Sequence, residues 1–234
     1  MKDTKSKGLG GAGRALHRKL KSPKVRTASS RIWLERQLND PYVAAARRDG
    51  WRARSAFKII EIDDKHGFLK PGRRIVDLGA APGGWSQVAA ERVKSVEGRG
   101  QVVAIDYLHF DPIPGVAIVE LDFMDDTAPK RLTGLLRDGG ADVVLSDMAA
   151  PTTGHTKTDH LRIMGLAEAA AEFAREVLSP GGAFLCKVFQ GGTEGALLLT
   201  LKREFAEVRH AKPAASRAES AETYVVAKGF RGTA

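Results

Sequence analysis

The chain has 234 residues, of which 43% are hydrophobic and 28% are charged, with one cysteine and a formal net charge of +9. This length suits one domain with an appendage, and a single cysteine excludes a disulfide framework. No cluster of Cys and His has zinc spacing, no apolar run approaches a membrane span, and the basic start lacks the apolar core of a secretory signal. These features predict a cytoplasmic globular protein with a polyanionic partner.

The positive charge is concentrated in residues 1–31, which hold ten Lys and Arg against one acid, Asp3. The rest of the chain has 27 basic and 27 acidic residues and is therefore formally neutral. We expect residues 1–30 to be a disordered tail, because a polar segment rich in Gly and Ser cannot offset its ordering entropy. Three roles are open for it: an arm that binds RNA phosphates, a solubilising tail, or a mitochondrial transit peptide. Residues 31–234 are predicted to form a single domain.

Three short helices are predicted before the first strand, from residues that favour helix starts and from the glycines that end two of them. They run from Ser29-Ser30 to about Leu38, from Pro41 to Gly50, and from Ala56, after Ser55, to about Lys65, before Gly67.

After the turn Lys70-Pro71-Gly72, short apolar runs alternate with helical segments. This alternation predicts an α/β fold with a parallel sheet and helices on both faces. The predicted strands are Arg74–Leu78, Val102–Ile105, Ala117–Leu121, Asp142–Leu145 and Ala183–Val188, with Phe205–Arg209 and Thr223–Ala227 as a final hairpin. The predicted helices between them are Trp85–Val96, Ala128–Arg137 and His160–Leu178.

The segment from Ile75 to Trp85 is typical of a buried strand, a turn of small residues that begins at Gly79, and a helix start. Small residues let a ligand approach backbone N–H groups near a helix N-terminus. The segment lacks the G-x-G-x-x-G pattern, which disfavours a nicotinamide dehydrogenase. Asp77, close to the strand end, suits a cationic part of a ligand better than a pyrophosphate.

Acidic residues stand at the ends of three successive strands: Asp77, Asp106 and Asp122. Asp106 is placed where a carboxylate can accept from two ribose hydroxyls, and Asp122 could bind an adenine amino group. Parallel strands end at one edge of a sheet, so these acids would line the crevice where open α/β sheets bind ligands. Together with the small-residue turn they predict an S-adenosylmethionine site, although Asp is also common at loop starts.

A lysine inside an apolar strand is costly to bury unless it is paired or functional, and Lys187 has this setting. Asp147 follows the fourth strand. Lys58 and Glu222, taken singly, are typical of solvated surface charges. His155 and His160 flank a loop, and we expect both at the surface.

These segments resemble the FtsJ-type 2′-O-ribose RNA methyltransferases over about residues 29–229. The most specific runs are Asp77–Gln87 and Lys187–Gly191. The other matching stretches are Ser29–Leu34, Asp40–Val43, Arg52–Lys58, Asp106, Asp111–Ile113, Gly115-Val116, Ser146–Ala149 and Lys212 to Tyr224. Two departures are a longer basic tail and Met148-Ala149-Ala150-Pro151 in place of Met-Ala-Pro-Asn.

The resemblance implies a Rossmann-like sheet of seven strands with an antiparallel last strand. It also implies methyl transfer from S-adenosylmethionine to a uridine ribose of large-subunit ribosomal RNA on the assembled subunit, by a monomer without a metal. The family's catalytic set falls on Lys58, Asp147, Lys187 and Glu222. Its cofactor contacts fall on Gly83, Trp85, Asp106, Asp122 and Asp147.

We expect Lys187 to be the general base. Burial and the nearby Lys58 would favour its neutral amine, Asp147 would oppose this while orienting the amine, and the balance is open. Glu222 is expected to position the others. Arg47, Arg48, Arg52 and Arg54 are predicted to contact RNA phosphates, with a solvated helix end as the alternative.

Other functions are weaker. A cytosine C5 methyltransferase needs a nucleophilic cysteine, but strand alternation turns Cys186 away from Lys187 into the core. A base-amine methyltransferase would carry an Asn/Asp-Pro-Pro-aromatic motif, which is missing after the fourth strand. A non-catalytic ribosome-assembly factor with this fold, or an enzyme for another RNA, remains an alternative.

Overall fold

A computed structural model describes residues 34–35, 37–151, 153–189, 195–217 and 220–232. The predicted basic tail therefore lies outside the described residues. The described residues divide into two units, one that ends at Ala45 and one that begins at Ala46. In the first, residues 34, 35 and 37–39 are helical, as predicted. Helix α1 (Pro41–Asp49) begins where the Tyr42 N–H donates to Asp40 Oδ1 at 3.0 Å, and Gly50 follows it with a φ of 81°.

The second unit contains a sheet of seven strands: β1 Arg74–Leu78, β2 Gln101–Asp106, β3 Val116–Glu120, β4 Ala141–Ser146, β5 Leu178–Phe189, β6 Phe205–Ala211 and β7 Glu222–Phe230. In the described part of the chain their order is β3-β2-β1-β4-β5-β7-β6. Only β7 is antiparallel to its neighbours, β5 and β6. The predicted mostly parallel sheet with an antiparallel last strand is confirmed.

Helices cover both faces, as predicted. On one face lie α2 (Ala56–His66) and α3 (Gly84–Val93), and on the other lie α4 (Ala128–Leu135), α5 (Thr156–Val177) and α6 (Gly195–Glu204). None of the described helices is long and apolar enough to cross a membrane.

Some predicted boundaries were wrong. Helix α3 ends at Val93 rather than Val96, because Lys94 adopts a left-handed conformation with a φ of 63°. Helix α5 begins at Thr156 rather than His160. Helix α6 was not predicted, since its run of leucines after Gly195 carries no clear helical period.

Alternation along the buried strands assigns each side chain to a face. Val76 packs with α4, α5 and α6, whereas Ile75 packs with α2 and α3. Lys187 lies on the α2 and α3 side of β5, because it alternates with the buried Leu185 of that cluster. The strand order reverses between β1 and β4, so the crevice for a ligand lies at their carboxyl ends. There the Asp147 N–H donates to Leu78 O at 3.2 Å.

Candidate active site

The four side chains of the predicted catalytic set lie together beside the carboxyl ends of β4 and β5. The Lys187 Nζ donates to Asp147 O at 2.6 Å and to Asp147 Oδ1 at 3.1 Å. The Lys58 Nζ, from the first turn of α2, lies 2.7 Å from Glu222 Oε1. Lys58 is 8% exposed and Lys187 is 7% exposed, so both ion pairs are largely shielded from water.

Tyr224 joins the two ion pairs and was missed from the sequence. Its hydroxyl lies 2.9 Å from Asp147 Oδ1 and 3.1 Å from Glu222 Oε1, so its single hydrogen can be donated to either carboxylate. The side chain is fully buried, and its ring centre is 5.7 Å from that of Trp85. Its position two residues after Glu222, on the same face of a strand, was the available signal.

The two carboxylates of this cluster are held in place by several donors. Burial alone would raise the pKa of Asp147, but Lys187 and Lys58, with hydrogen bonds from Lys187 and Tyr224, hold that pKa below its ordinary value. Burial and both carboxylates raise the pKa of Tyr224 well above its ordinary value, so its hydroxyl stays protonated. Asp147 is therefore ionised at neutral pH and fixes the direction of the Lys187 amine.

A groove opens beside this cluster. Its lining includes Asp106, Asp122 and Asp147, with Gly79, Ala81 and Met148. The predicted crevice at the carboxyl ends of the strands is present, and Asp147 belongs both to the groove and to the catalytic cluster. Asp106 accepts from Ala81 N and Leu108 N at 2.8 Å each, which leaves lone pairs on both oxygens for a ligand.

The turn after β1 does not present free N–H groups at its start, contrary to expectation. The Gly79 and Ala80 N–H groups donate to Ile105 O at 3.0 and 3.1 Å. Small residues are required for another reason, since a Cβ at Gly79 would lie 2.7 Å from Met148 Cγ. A turn with occupied donors, facing carboxylates, suits hydroxyl and amino groups and not a pyrophosphate.

Three residues predicted to bind the cofactor lie behind this turn. Asp77 is fully buried and accepts from Ser86 Oγ at 2.6 Å. The Trp85 side chain is 2% exposed and donates from Nε1 to Ser55 O at 2.9 Å. Gly83 packs under Ile113, whose Cδ1 would lie 2.5 Å from a Cβ there. Contacts from Gly83 and Trp85 to a cofactor would come from the backbone, and all three assignments stay predictions.

Asp77 predicts a pH dependence of stability. Burial raises its pKa from 3.8 to about 7, so between these values the unfolded chain has released a proton that the folded chain keeps. The contribution of Asp77 to the unfolding free energy therefore falls as pH rises through this window, by at most about 1.4 kcal/mol per pH unit, and is constant above it. Urea unfolding of Asp77→Asn and wild type between pH 4 and 8 should show the variant gaining relative stability as pH rises. Two parallel curves would contradict this.

The four arginines predicted to contact RNA differ in their surroundings. Arg47 and Arg48 are exposed on α1, and Arg48 pairs with Asp49 at 2.7 Å. Arg54 donates from Nη2 to Ala215 O at 2.6 Å. Arg52 donates to the carbonyl oxygens of Pro82, Asp111 and Pro112, of which the last lies at 2.7 Å. RNA contacts by these arginines stay predictions.

The remaining candidates, Cys186, His155 and His160, are not placed to act as a nucleophile or as metal ligands. Cys186 is fully buried on the opposite side of β5 from Lys187, and burial raises the pKa of its thiol to about 12, so it suits the core as predicted. His155 is exposed, but His160 is half-buried with its ring centre 6.4 Å from Phe189. No group of His, Cys, Asp and Glu among the described residues could hold a metal ion.

The chain is similar to known proteins. Residues 51–230 match the family described as FtsJ-like methyltransferase. The chain belongs to this family. Relatives named Ribosomal RNA large subunit methyltransferase E include one from Azorhizobium caulinodans, 64% identical over 94% of this chain and 92% of its own length. Another, from Parvibaculum lavamentivorans, is 60% identical over 97% and 91%.

A solved structure supports the same assignment. A ribosomal RNA methyltransferase from Plasmodium falciparum is 32% identical and superposes with a TM-score of 0.69, covering 78% of this chain and 100% of its own. The resemblance noted in the sequence is thereby confirmed, and the sheet is the Rossmann-like methyltransferase fold.

Proposed function

We propose that this chain transfers a methyl group from S-adenosylmethionine to a ribose 2′-hydroxyl of a uridine in large-subunit ribosomal RNA. One observation carries the proposal: Asp147 lines the cofactor groove and also accepts hydrogen bonds from the Lys187 Nζ. The amine that would receive a proton therefore lies next to the place where the methyl donor would lie.

The residues of the groove fit this cofactor. Asp106 would accept from its ribose hydroxyls and Asp122, which is exposed, from its adenine amino group. Asp147 would attract its positive end. When bound, S-adenosylmethionine supplies a methyl group on a sulfonium, which is already activated. The work left for this chain's residues is to align the hydroxyl and to take its proton.

Lys187 serves as the general base in this proposal. Two of its hydrogen bonds go to Asp147, so the amine is fixed, and its remaining position would face the acceptor hydroxyl. In this transfer the methyl–oxygen bond would form as the methyl–sulfur bond breaks and leaves a neutral thioether, and the hydroxyl proton would pass to the Lys187 Nζ. The ion pair of Lys58 and Glu222 belongs to the same cluster, because the Tyr224 hydroxyl lies within hydrogen-bond distance of both Glu222 and Asp147. Glu222 and Tyr224 position Lys58 and Asp147.

The substrate class rests on the names of the relatives and on the family resemblance. A uridine on the assembled large subunit is the proposed target, and a cytoplasmic monomer the proposed form of the enzyme. Arg47 and Arg48, exposed on α1, and the basic residues 1–30 would contact RNA phosphates.

The test uses large subunits from a strain that lacks this activity, with purified protein and cofactor labelled in the methyl group. We expect label in ribosomal RNA, and a linkage that resists alkaline hydrolysis at one uridine. Lys187→Met should bind cofactor without labelling the RNA. Binding to the particle without any methyl transfer by the wild type would instead indicate an assembly factor.

Arg52 is expected to support the cofactor site rather than RNA alone. Its guanidinium connects the turn at Pro82 with the loop at Asp111-Pro112. Because hydrogen bonds from a charged donor are strong, Arg52→Gln should weaken cofactor binding about tenfold, or about 1.4 kcal/mol, with kcat unchanged. Calorimetric titration of the cofactor product measures this, and Arg48→Gln is the exposed control. Normal cofactor affinity with weakened RNA binding would return Arg52 to the RNA contacts.

A further inference from the structure

A second group of cations lies at the end of the sheet away from Lys187. Strand β7 begins at the catalytic cluster and runs antiparallel to β5. Its other end therefore lies at the opposite end of the sheet. Lys187 pairs in register with Tyr224, and Ala183 pairs with Lys228. Four residues of strand separate the two pairs, which is about 14 Å.

Two of these cations, Lys65 and Lys228, share a face of the sheet with the catalytic cluster. Lys228 alternates with Tyr224 along β7 and pairs in register with Glu207. Helix α2 lies along the same face, with Lys58 in its first turn and Lys65 in its last, about 10 Å apart. The Lys228 Nζ donates to His66 O at 3.2 Å, which joins the end of α2 to the end of β7.

The groove between these elements, which we call the basic groove, has an excess of positive charge. Its cationic side chains are Lys65, Lys70, Arg73, Arg209 and Lys228, together with Lys202, which comes from α6 on the other face and lies beside the edge strand β6. Its carboxylates are Asp142 and Glu207.

Both carboxylates are already engaged. Asp142 pairs with Arg74 at 3.2 Å and Glu207 with Lys228 at 3.3 Å. Lys65, Lys70 and Lys202 are exposed and make no hydrogen bond or salt bridge from their ammonium groups to any described residue. Since residues 32–234 are formally neutral, this local excess is not an average property of the domain.

We propose that the basic groove binds backbone phosphates of the substrate RNA at a distance from the target nucleotide. This rests on the proposed function. Ammonium groups without partners suit phosphates, which need charge and impose little geometry. A large folded RNA extends well beyond one nucleotide, and a groove that begins about 14 Å from Tyr224 along β7 would contact neighbouring backbone. Such contacts set affinity and orientation and leave the chemical step alone.

The test is a triple variant, Lys65→Ala/Lys70→Ala/Lys202→Ala, of the full chain. A matched control, Arg99→Ala/Lys130→Ala/Arg131→Ala, removes three exposed charges at the other edge of the sheet. Binding to protein-free large-subunit ribosomal RNA is measured by filter retention at several salt concentrations. We expect the dissociation constant of the first variant to rise about tenfold or more and its log–log salt slope to fall by about two to three. Cofactor affinity and kcat at saturating subunits should stay at wild-type values for both.

The outcomes separate this proposal from the proposed function. Equal losses in both variants, or an unchanged slope in the first, would overturn the basic groove as an RNA site while wild-type methyl transfer stands. Weakened binding only to intact subunits would indicate an acidic ribosomal protein as the partner, which also overturns it. Failure of the proposed function appears differently, as no methyl transfer by the wild type.

Discussion

Replacement of Lys187 by Met should lower kcat about a thousandfold, within the range of about 10² to 10⁴ that general base catalysis contributes. The reason is geometric, because the Lys187 Nζ is held at 2.6 Å from Asp147 O and no other described amine lies on that carbonyl. Methyl transfer to saturating subunits gives kcat, and titration of the cofactor product shows whether the site is still formed. Lys130→Met, an exposed lysine on α4, is the control.

The Lys187→Arg variant distinguishes two roles for Lys187, a general base and a fixed positive charge. Arginine keeps the positive charge and can still donate to Asp147, but it does not lose its proton in proteins. If Lys187 is the base, this variant should be as slow as Lys187→Met. Activity above a tenth of wild type would show that charge alone is needed, and the general base would have to be sought elsewhere. Because arginine also preserves the ion pair, loss of fold is a weaker explanation for loss of activity.

The architecture could be predicted because it depends on local patterns. Strands β1, β2, β4 and the second half of β5 are buried on both faces and read as nearly continuous apolar runs, so Lys187 stood out as the exception. The placement of Asp106 and Asp122 at the groove was predictable, since parallel strands deliver their carboxyl ends to one edge. Asp77 does not line the groove as predicted, because its side chain is fully buried. The antiparallel direction of β7 was implied by the family resemblance, but its position between β5 and β6 was not predicted, because strand order leaves no periodic signal.

The contacts that complete the site could not be predicted in this way. Arg52 bonds to carbonyl oxygens as many as 60 residues away, and any residue can supply a carbonyl. The donors of the Gly79 turn are used by Ile105, a neighbour in the sheet and not in the sequence. Tyr224 is a core aromatic residue, but its hydroxyl also ends between two carboxylates. Side-chain hydrogen bonds across strands depend on the folded geometry and appear only there.

Removal of the negative charge of Asp147 should lower both kcat and cofactor affinity. Asp147→Asn keeps the size of the side chain but leaves Lys187 without a charged partner and removes one carboxylate from the cofactor groove. We expect kcat to fall about a hundredfold and cofactor affinity to fall as well, as for loss of one preorganised electrostatic group. The same methyl-transfer and titration measurements report both, and wild-type values of both would contradict the shared role of Asp147.

The matched control for Asp147→Asn lies on the same strand. Asp142, at the other end of β4, is also ion-paired, and hydrogen bonds and charge from Arg74 outweigh burial and lower its pKa. A carboxylate whose folded pKa is depressed contributes stability above its unfolded pKa and loses it as pH falls through the folded pKa. Acid unfolding should therefore be less steep in both variants, because each lacks one such group. Only Asp147→Asn should lose methyl transfer. If Asp142→Asn lost it equally, the defect would reflect stability, and Asp147 would have no direct part in the reaction.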